Sequence, residues 1–273
     1  MHSGLCHGSL WVRRWAVFIC PFGKLTKHMA DKNPIIDKLF SVGAHFGYAP
    51  SRRHPSVSSF IFGSKGGVEL FDLEVTAKCL GEALEAVKGL AAERKVVLFV
   101  GGKAEATAAV KRAAERLAQP YCAGRWIGGS ITNWSEIKRR LNRLEELSSM
   151  REKGELGKFT KKERLLIDRE ITDLELMFGG LRGMTKTPDA LVVVDPKAEG
   201  GAVAEAIQFG LPVIALMNSD CDRSKVTYPI PGNDASRSVI EYVLGEIADT
   251  YEKNLAPLAP ATPVVAAAPT PTV

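Results

Sequence analysis

The sequence predicts an α/β protein: a doubly wound parallel sheet with an inserted antiparallel coiled-coil helical hairpin. Wholly apolar runs of strand length recur along the chain, and segments with the apolar spacing of helices separate them. Strands that are apolar on both faces are typical of parallel sheets covered by helices on both sides, and right-handed crossovers make such a sheet doubly wound. Residues 133–181 contain no such run and instead repeat apolar residues at three and four positions.

The elements of the sheet domain are predicted from these patterns in chain order. A short amphipathic helix follows Pro34, residues 43–56 are a loop broken by glycine and proline, and residues 60–71 are two short strands around a glycine turn. The alternating elements that follow are a helix over 73–93, a strand over 95–102, a helix over 103–117, a short strand over 121–126, a strand over 190–196, a helix over 201–209, a strand over 212–218 and a helix over 234–253. We assign residues 29–132 and 182–253 to this α/β domain.

Residues 133–181 are predicted to form two antiparallel helices that project from the sheet domain. Their apolar seams are Trp134, Ile137, Leu141 and Leu144 on the first helix, and Ile167, Ile171, Leu174, Phe178 and Leu181 on the second. Such heptad spacing is typical of a coiled coil. Asn133 with Glu136, and Thr160 with Glu163, match the capping box that starts a helix. At 1.5 Å per residue the arm is roughly 25 Å long.

Composition limits the classes of protein and of partner. Apolar residues make up 45% of the 273 residues, which is enough for a packed core. The formal net charge is +5, and the acid-free residues 1–28 carry four of these charges. An RNA-binding surface must therefore come from local basic patches. The five cysteines contain no C-x-x-C pair, which argues against a zinc site and a disulfide framework and favours a reducing compartment. Because no 18 apolar residues run together, we predict no membrane span.

Both ends of the chain differ in composition from the sheet domain. Residues 1–28 are an extension with three alternatives: Met29 is the true start, the segment is a disordered tail, or it is a targeting signal, including an organellar one. Five of the last 18 residues are proline, so we predict a disordered Ala/Pro tail over 254–273.

Three places could carry ligand chemistry. The Gly101–Lys103 turn ends a strand and opens a helix, but the spacing of a nucleotide-binding P-loop fails there. We still expect its free N–H groups and Lys103 to attract a phosphate, including one of RNA. Asp195 follows a strand, where it could bind a ligand or cap the next helix, and we favour the cap. His45 and His54 have no third ligand at metal spacing, so we predict no metal, and we expect His45 to be packed and hydrogen-bonded. No catalytic set is readable, and we expect no cofactor.

Basic residues cluster in loops and on the projecting arm, where they could be a solvated face or an RNA surface. Our candidate RNA-binding residues are Arg52, Arg53, His54, Lys65, Lys103, Arg125, Trp126, Lys138, Arg139, Lys161 and Lys162. Arginine is favoured because its fork of N–H donors suits phosphate. The Gly128-Gly129 turn follows Arg125 and Trp126, so we interpret residues 125–134 as the joint that fixes the hairpin to the sheet domain. Contact with RNA through charge and stacking is an added role for these two residues.

Eight sequence blocks together carry a family resemblance. They are GAHFG (43–47), FIFG (60–63), LFVGGK (98–103), RWIGGSITNW (125–134), FGGLRGM (178–184), PDALVVVD (188–195), GLPVIAL (210–216) and IPGNDAS (230–236). With these blocks in this order, the chain resembles the universal small-subunit ribosomal protein 2 family in its bacterial form, from about Ile35 to Tyr251. The resemblance implies a flavodoxin-like sheet domain and a structural, non-catalytic protein on the cytoplasmic ribosome, without a small-molecule substrate. It also implies binding to 16S ribosomal RNA between the head and the body of the small subunit, neighbouring small-subunit proteins, and support for docking of ribosomal protein 1.

Three departures from the family pattern leave contacts open. Tyr48 stands where the family usually has a second histidine, Gly102 replaces a usual threonine, and residues 218–222 replace a more typical D-T-N-x-D. Two other functions stay as alternatives: a phosphate-binding α/β enzyme that uses the Gly101–Lys103 turn, and an adaptor whose coiled coil binds only protein. The failed P-loop spacing argues against the first, and the basic loops argue against the second.

Overall fold

The computed structural model describes residues 34–255, so the predictions for residues 1–28 and for nearly all of the Ala/Pro tail lie outside the described residues. The helices are α1 (Pro34–Val42), α2 (Leu73–Ala92), α3 (Ala104–Leu117), α4 (Trp134–Glu152), α5 (Lys161–Phe178), α6 (Gly200–Gln208) and α7 (Arg237–Lys253). The strands are β1 (Ile61–Lys65), β2 (Val68–Phe71), β3 (Val97–Val100), β4 (Tyr121–Cys122), β5 (Ala190–Val194), β6 (Val213–Met217) and β7 (Tyr228–Pro231). Within this range, no helix is long and apolar enough to cross a membrane.

Five strands form one parallel sheet in the order β4-β3-β5-β6-β7. Numbered along the chain within this sheet, the order is 2-1-3-4-5, which is the flavodoxin-like arrangement. The predicted fold class is therefore confirmed. β1 and β2 form a separate antiparallel pair. The segment before them joins this pair through backbone hydrogen bonds, such as the 2.8 Å bond from Phe71 N to His45 O.

The two faces of the sheet bury alternate residues of the same strands. In β3, Val97 and Phe99 pack with α2, α3 and α7, whereas Leu98 and Val100 pack with α6 and the base of the hairpin. Successive side chains of a strand point to opposite faces, so a strand between two helical layers must be apolar at every position. Each such buried valine, leucine or phenylalanine contributes about 1.5–3 kcal/mol, which explains the wholly apolar runs.

Both edges of the sheet differ from the prediction. The predicted elements did not include β7, which contains Pro229 and Pro231. It lies at the edge of the sheet, where a strand tolerates proline because one side needs no partner. At the opposite edge, the strand predicted over 121–126 is only Tyr121–Cys122. Gly180 covers this edge so closely that a Cβ there would lie 2.3 Å from the Tyr121 carbonyl oxygen. A covered edge cannot pair with another chain.

The base of the hairpin belongs to the core of the sheet domain. Ile137 and Leu141 of α4 and Phe178 of α5 pack on the sheet with Val193. The distal part of the arm has a small core of its own, formed by Leu144, Leu147 and Ile171. The arm is therefore anchored by side-chain packing over its first turns and projects only beyond them.

Only one of the two predicted capping boxes forms. At the start of α5, Thr160 N donates to Glu163 Oε2 at 2.8 Å, and Thr160 Oγ1 accepts from Glu163 N at 3.4 Å. At the start of α4, the prediction was wrong. Asn133 has φ −124° and ψ 51°, outside the extended conformation that aims a cap at the first turn. Its side chain instead accepts a 3.2 Å hydrogen bond from the Ser135 hydroxyl.

Candidate nucleic-acid interface

The Gly101–Lys103 turn lies where the strand order reverses, between the carboxyl ends of β3 and β5. Doubly wound proteins usually bind ligands at this point. Here protein side chains fill it. Lys103 Nζ lies 2.6 Å from Asp195 Oδ2 and 2.7 Å from Asp234 Oδ2, and Gly102 N donates to Glu199 Oε1 at 2.9 Å. The N–H of Gly102, which was expected to be free, is therefore bonded, and Lys103 is paired within the protein; contact of Lys103 with a phosphate stays a prediction.

Electrostatics at this closed site also disfavour a phosphate. Burial lowers the pKa of Lys103, but its hydrogen bonds to Asp195 and Asp234 raise it more, so the net shift is upward. Burial raises the pKa of Asp195, but Lys103 lowers it more; the pKa of Asp234 stays raised because its carboxylate is fully buried. Burial likewise raises the pKa of Glu199. Lys103 pairs with two carboxylates and a third acidic side chain, Glu199, bonds the neighbouring Gly102 N, so an added anion would meet net repulsion.

The departures from the family pattern contact this same network. Tyr48 Oη donates to Asp234 Oδ1 at 3.3 Å, and Asn218 Nδ2 donates to the same oxygen at 2.8 Å. At Gly102 a Cβ would lie 2.5 Å from Glu199 Oε1, so Glu199 occupies the space that a side chain would need. The three departures thus lie around one buried site, and two of them stabilise the Asp234 carboxylate.

Asp195 was expected to cap the next helix, but it caps the turn before that helix instead, and the N-cap residue of α6 is Glu199. Its backbone has φ 62°, and its Oδ1 accepts hydrogen bonds from Lys197 N at 3.0 Å and Ala198 N at 3.2 Å. These N–H groups belong to the turn that leads into α6, rather than to the first turn of the helix itself. Asp195 therefore has two structural functions, because its other oxygen pairs with Lys103.

The joint between the sheet and the hairpin is organised by one carboxylate, Glu205 of α6. Its Oε1 accepts from Trp126 Nε1 at 3.0 Å and from Gly129 N at 2.8 Å, and its Oε2 accepts from Ile131 N at 3.1 Å and from both N and Oγ1 of Thr132 at 3.2 Å. Burial raises the pKa of Glu205, but these donors lower it more. The geometry supports the interpretation of residues 125–134 as a joint, and it commits the Trp126 N–H to the interior.

Three candidate residues, Arg52, Arg53 and His54, lie in one basic loop but in different environments. The Arg52 guanidinium lies over the Tyr48 ring, 5.7 Å from its centroid. Arg53 Nη1 lies 3.2 Å from the buried Glu69 carboxylate. His54 caps the following turn, because its Nδ1 accepts from Ser56 N at 3.3 Å. All three lie in one loop, and the two arginines are exposed.

His45 is packed as expected but is not hydrogen-bonded through Nδ1. Its ring stacks on Phe40 with centroids 4.7 Å apart and contacts Phe46 at 4.0 Å. Burial lowers its pKa, and Nδ1 has no hydrogen-bond partner within residues 34–255. Nor does that range place three or more histidine, cysteine or acidic side chains where they could hold a metal ion.

The remaining candidates are exposed but not clustered. Lys65 lies beside the turn between β1 and β2, and Arg125 is the first residue of the joint; neither has an ion pair in the described part of the chain. Lys138 and Arg139 lie near the base of the arm, where Arg139 pairs with Glu136 at 3.3 Å. Lys161 and Lys162 begin α5 at the tip. About 14 residues of helix separate tip from base, or roughly 20 Å, so the two pairs could contact only separate parts of a partner.

Comparison with known proteins decides the family. A sequence model of the family described as Ribosomal protein S2 matches residues 39–254. The small ribosomal subunit protein uS2 of Acidothermus cellulolyticus is 40% identical over 219 residues, which cover 80% of this chain and 80% of that protein. The protein of the same name from Micrococcus luteus is 39% identical over 219 residues, covering 80% of this chain and 77% of its own.

The chain belongs to the ribosomal protein S2 family. The resemblance to the bacterial form of this family is confirmed. Members of the S2 family are structural proteins of the small ribosomal subunit without enzymatic activity, and this chain is such a constituent. In this chain, protein side chains fill the strand-reversal point where other flavodoxin-like sheets bind ligands.

Sequence reasoning missed the acidic residues that shape this surface. Glu69, Glu199 and Glu205 each hold a residue of the predicted set, or its neighbour, in place. Glu205 lies more than 70 residues from the joint it organises. The sequence carries no local signal for such pairings, because each depends on which helix the fold brings beside which loop.

Proposed function

We propose that this S2-family protein binds 16S ribosomal RNA between the head and the body of the small subunit. The observation that carries the proposal is the distribution of cations. The usual ligand site of the fold is closed by carboxylates, whereas arginines and lysines are exposed on one loop and along the arm. The names of its relatives, small ribosomal subunit protein uS2, support a ribosomal setting.

The proposed RNA surface has two parts. The loop part consists of Arg52, Arg53 and His54, with Lys65 at the end of β1 and Arg125 at the joint. The arm part consists of Lys138, Arg139, Lys161 and Lys162. Guanidinium forks and ammonium groups donate to phosphate oxygens and fix the protein on the RNA without reading its sequence. We give Lys103 and Trp126 a supporting role instead, because their polar atoms are bonded within the protein.

Binding of the full chain to 16S ribosomal RNA across a salt series tests the proposal. Replacing Arg52 by glutamate, or both Lys161 and Lys162, should weaken binding and reduce the dependence of log K on log salt by about 0.7–0.9 for each phosphate that is no longer neutralised. Lys88→Glu is the matched control, because this lysine lies on α2 beside Glu85, away from the loop and the arm. Wild-type affinity in both charge-reversal variants would reject the surface.

We extend the proposal to neighbouring small-subunit proteins, including support for docking of ribosomal protein 1. Exposed apolar side chains on α5 support a protein contact: Leu165 and Leu166 are each 52% exposed, and Leu176 is 83% exposed. Small subunits assembled with the Leu176→Asp protein should retain less ribosomal protein 1 after sedimentation, whereas Ile207→Asp, an exposed position on α6, should not change the amount retained. Equal retention in both would remove α5 from the proposal.

We place this protein on the cytoplasmic ribosome and keep organellar targeting as the alternative. Mass spectrometry of the N-terminus in purified small subunits distinguishes them. A protein that begins at Met1 or Met29 supports the cytoplasmic location, and a cut within residues 1–28 supports targeting.

A further inference from the structure

Glu69 of β2 is a buried carboxylate whose ion-pair partner is exposed. Its side chain is 1% exposed, and its Oε1 lies 3.2 Å from Nη1 of Arg53, which is 43% exposed. Its second oxygen, Oε2, has no hydrogen-bond partner among residues 34–255. A buried pair of this kind is weak evidence for stability, because desolvation offsets the attraction. The orientation that Glu69 gives to Arg53 is the better explanation for its presence.

The backbone on both sides of this pair is fixed by hydrogen bonds. Gly47 N donates to Glu69 O at 2.8 Å, and Glu69 N donates to Tyr48 O at 3.0 Å. On the other side, His54 N donates to Ser219 O at 2.8 Å, directly after Arg53. Arg53 is thus held both at its main chain and at its guanidinium, which lowers the entropy it would lose on binding.

The pair borders an open cleft of about 260 Å³, which we name the Arg53 cleft. It is lined by Pro50, Arg53, Ser58, Ile61, Gly63, Ser64 and Glu69. The hydroxyls of Ser58 and Ser64 have no hydrogen-bond partner in the described range, and a Cβ on Gly63 would meet nothing within 4 Å. Lys65 follows directly in the chain and is exposed. The cleft therefore offers hydroxyl and guanidinium donors with room around them.

We propose that the Arg53 cleft binds one phosphate of the RNA backbone and that Glu69 is the positioning residue that aims Arg53 at it. Nη1 of Arg53 bonds Glu69, and the other donors of the guanidinium bond the phosphate oxygens together with Ser58 and Ser64. This inference rests on the proposed RNA binding. It adds a site for one phosphate and a residue, Glu69, that affects RNA affinity without contacting RNA.

The direction in which Glu69→Gln changes the affinity for RNA tests the proposal. Glu69→Gln removes a negative charge beside the RNA surface, so long-range electrostatics alone predict tighter binding. If Glu69 positions Arg53, the full-chain variant should bind 16S ribosomal RNA about three- to tenfold more weakly, the cost of ordering one freed side chain. The salt dependence should stay unchanged, because Arg53 keeps its charge. Glu85→Gln on α2 is the matched control and should bind as the wild type does.

Four further variants test the positioning and cover the case in which Glu69→Gln does not fold. Arg53→Ala should bind more weakly and reduce the salt dependence by the amount expected for about one neutralised phosphate. Adding Glu69→Gln to it should weaken binding no further, as a double-mutant cycle requires for one interacting pair. Ser58→Ala with Ser64→Ala should weaken binding without a change in salt dependence. If Glu69→Gln does not fold, as judged by thermal melting, Arg53→Lys replaces it, because lysine keeps the charge but lacks the fork.

The outcomes distinguish this inference from the proposed function. Weaker binding by folded Glu69→Gln, or by Arg53→Lys in its place, supports the Arg53 cleft. Equal or tighter binding by that variant, when the wild type binds RNA, overturns the cleft alone. A wild-type chain that does not bind 16S ribosomal RNA overturns the proposed function and the cleft with it.

Discussion

Replacing Lys103 by methionine should destabilise the fold and leave RNA binding intact. Methionine keeps the apolar length of the side chain but removes the ammonium that pairs with Asp195 and Asp234. Removing one partner of a buried ion pair costs about 3–5 kcal/mol, and Lys103 is 22% exposed, so we expect the lower end, about 3 kcal/mol. For a domain of this size that corresponds to a fall in Tm of roughly 6–12 °C.

The pH dependence of this variant follows from the signs of the pKa shifts. The raised pKa of Lys103 contributes stability that is complete below its unfolded value of 10.5 and is lost only as pH rises through the folded value. The lowered pKa of Asp195 contributes stability above its unfolded value of 3.8, lost as pH falls through the folded value. The wild type should therefore be equally stable from pH 6 to 8 with respect to these groups. In Lys103→Met the two aspartates repel each other, so its stability should increase as pH falls from 8 to 5.

Urea unfolding of the full chain at pH 5, 6, 7 and 8 measures both effects. Adding Asp234→Asn to Lys103→Met removes one of the unpaired carboxylates and should restore part of the stability at pH 7. The opposite pattern would refute the assignment. If Lys103→Met melts like the wild type but binds 16S ribosomal RNA more weakly, Lys103 binds phosphate, as the sequence alone suggested.

Two substitutions test the joint and the sheet edge, and two deletions test the arm. Glu205→Ala should lower the free energy of unfolding by about 2–3 kcal/mol at pH 7, because it leaves several loop N–H groups unbonded. Since the folded pKa of Glu205 is lowered, the difference in stability between wild type and variant should shrink as pH falls below the unfolded pKa of 4.5. An equal difference at pH 4 would contradict this prediction. Gly180→Ala should cost about 1–3 kcal/mol in thermal melts because of its contact with Tyr121, whereas Gly183→Ala, with open space at its Cβ, is the control and should be neutral. Replacing residues 144–171 by a short glycine linker should leave a cooperative melting transition, but deleting 133–181 should abolish it because the base of the arm covers the sheet; cooperative melting of both would show that the base is dispensable.

Most of the fold could be predicted because burial repeats along the chain. Helices cover both faces of β3, β5 and β6, so these strands are apolar at every position. The two helices of the arm cover only one face of each other, so their apolar residues repeat at heptad spacing. The prediction failed where the residue type of a segment suggests one structure but its place in the sheet allows another. Pro229 and Pro231 argue against a strand everywhere except at an edge, and no local pattern reveals which strand will be at the edge.

The candidate site could be predicted only as a set of residue types. The position of the Gly-Gly-Lys turn after a strand was predicted correctly. Its bonding partners are Asp195, Glu199 and Asp234, which lie far along the chain. A sequence pattern identifies the groups of one segment that could bind a ligand. It cannot show that carboxylates from distant segments of the same protein already bond those groups.

Three of the candidate RNA-binding residues, Lys103, Arg53 and Arg52, differ in how many buried acidic side chains each one pairs with. Lys103 faces two and is committed to the interior. Arg53 faces one, through a single nitrogen, and its side chain is 43% exposed. Arg52 pairs with no carboxylate in the described range and rests on the face of Tyr48. Arg52 is therefore a cation without a fixed direction, Arg53 is a cation held by Glu69, and the ammonium of Lys103 is paired with two carboxylates of the protein. The relevant property is the pairing of each cation, which only the folded chain defines.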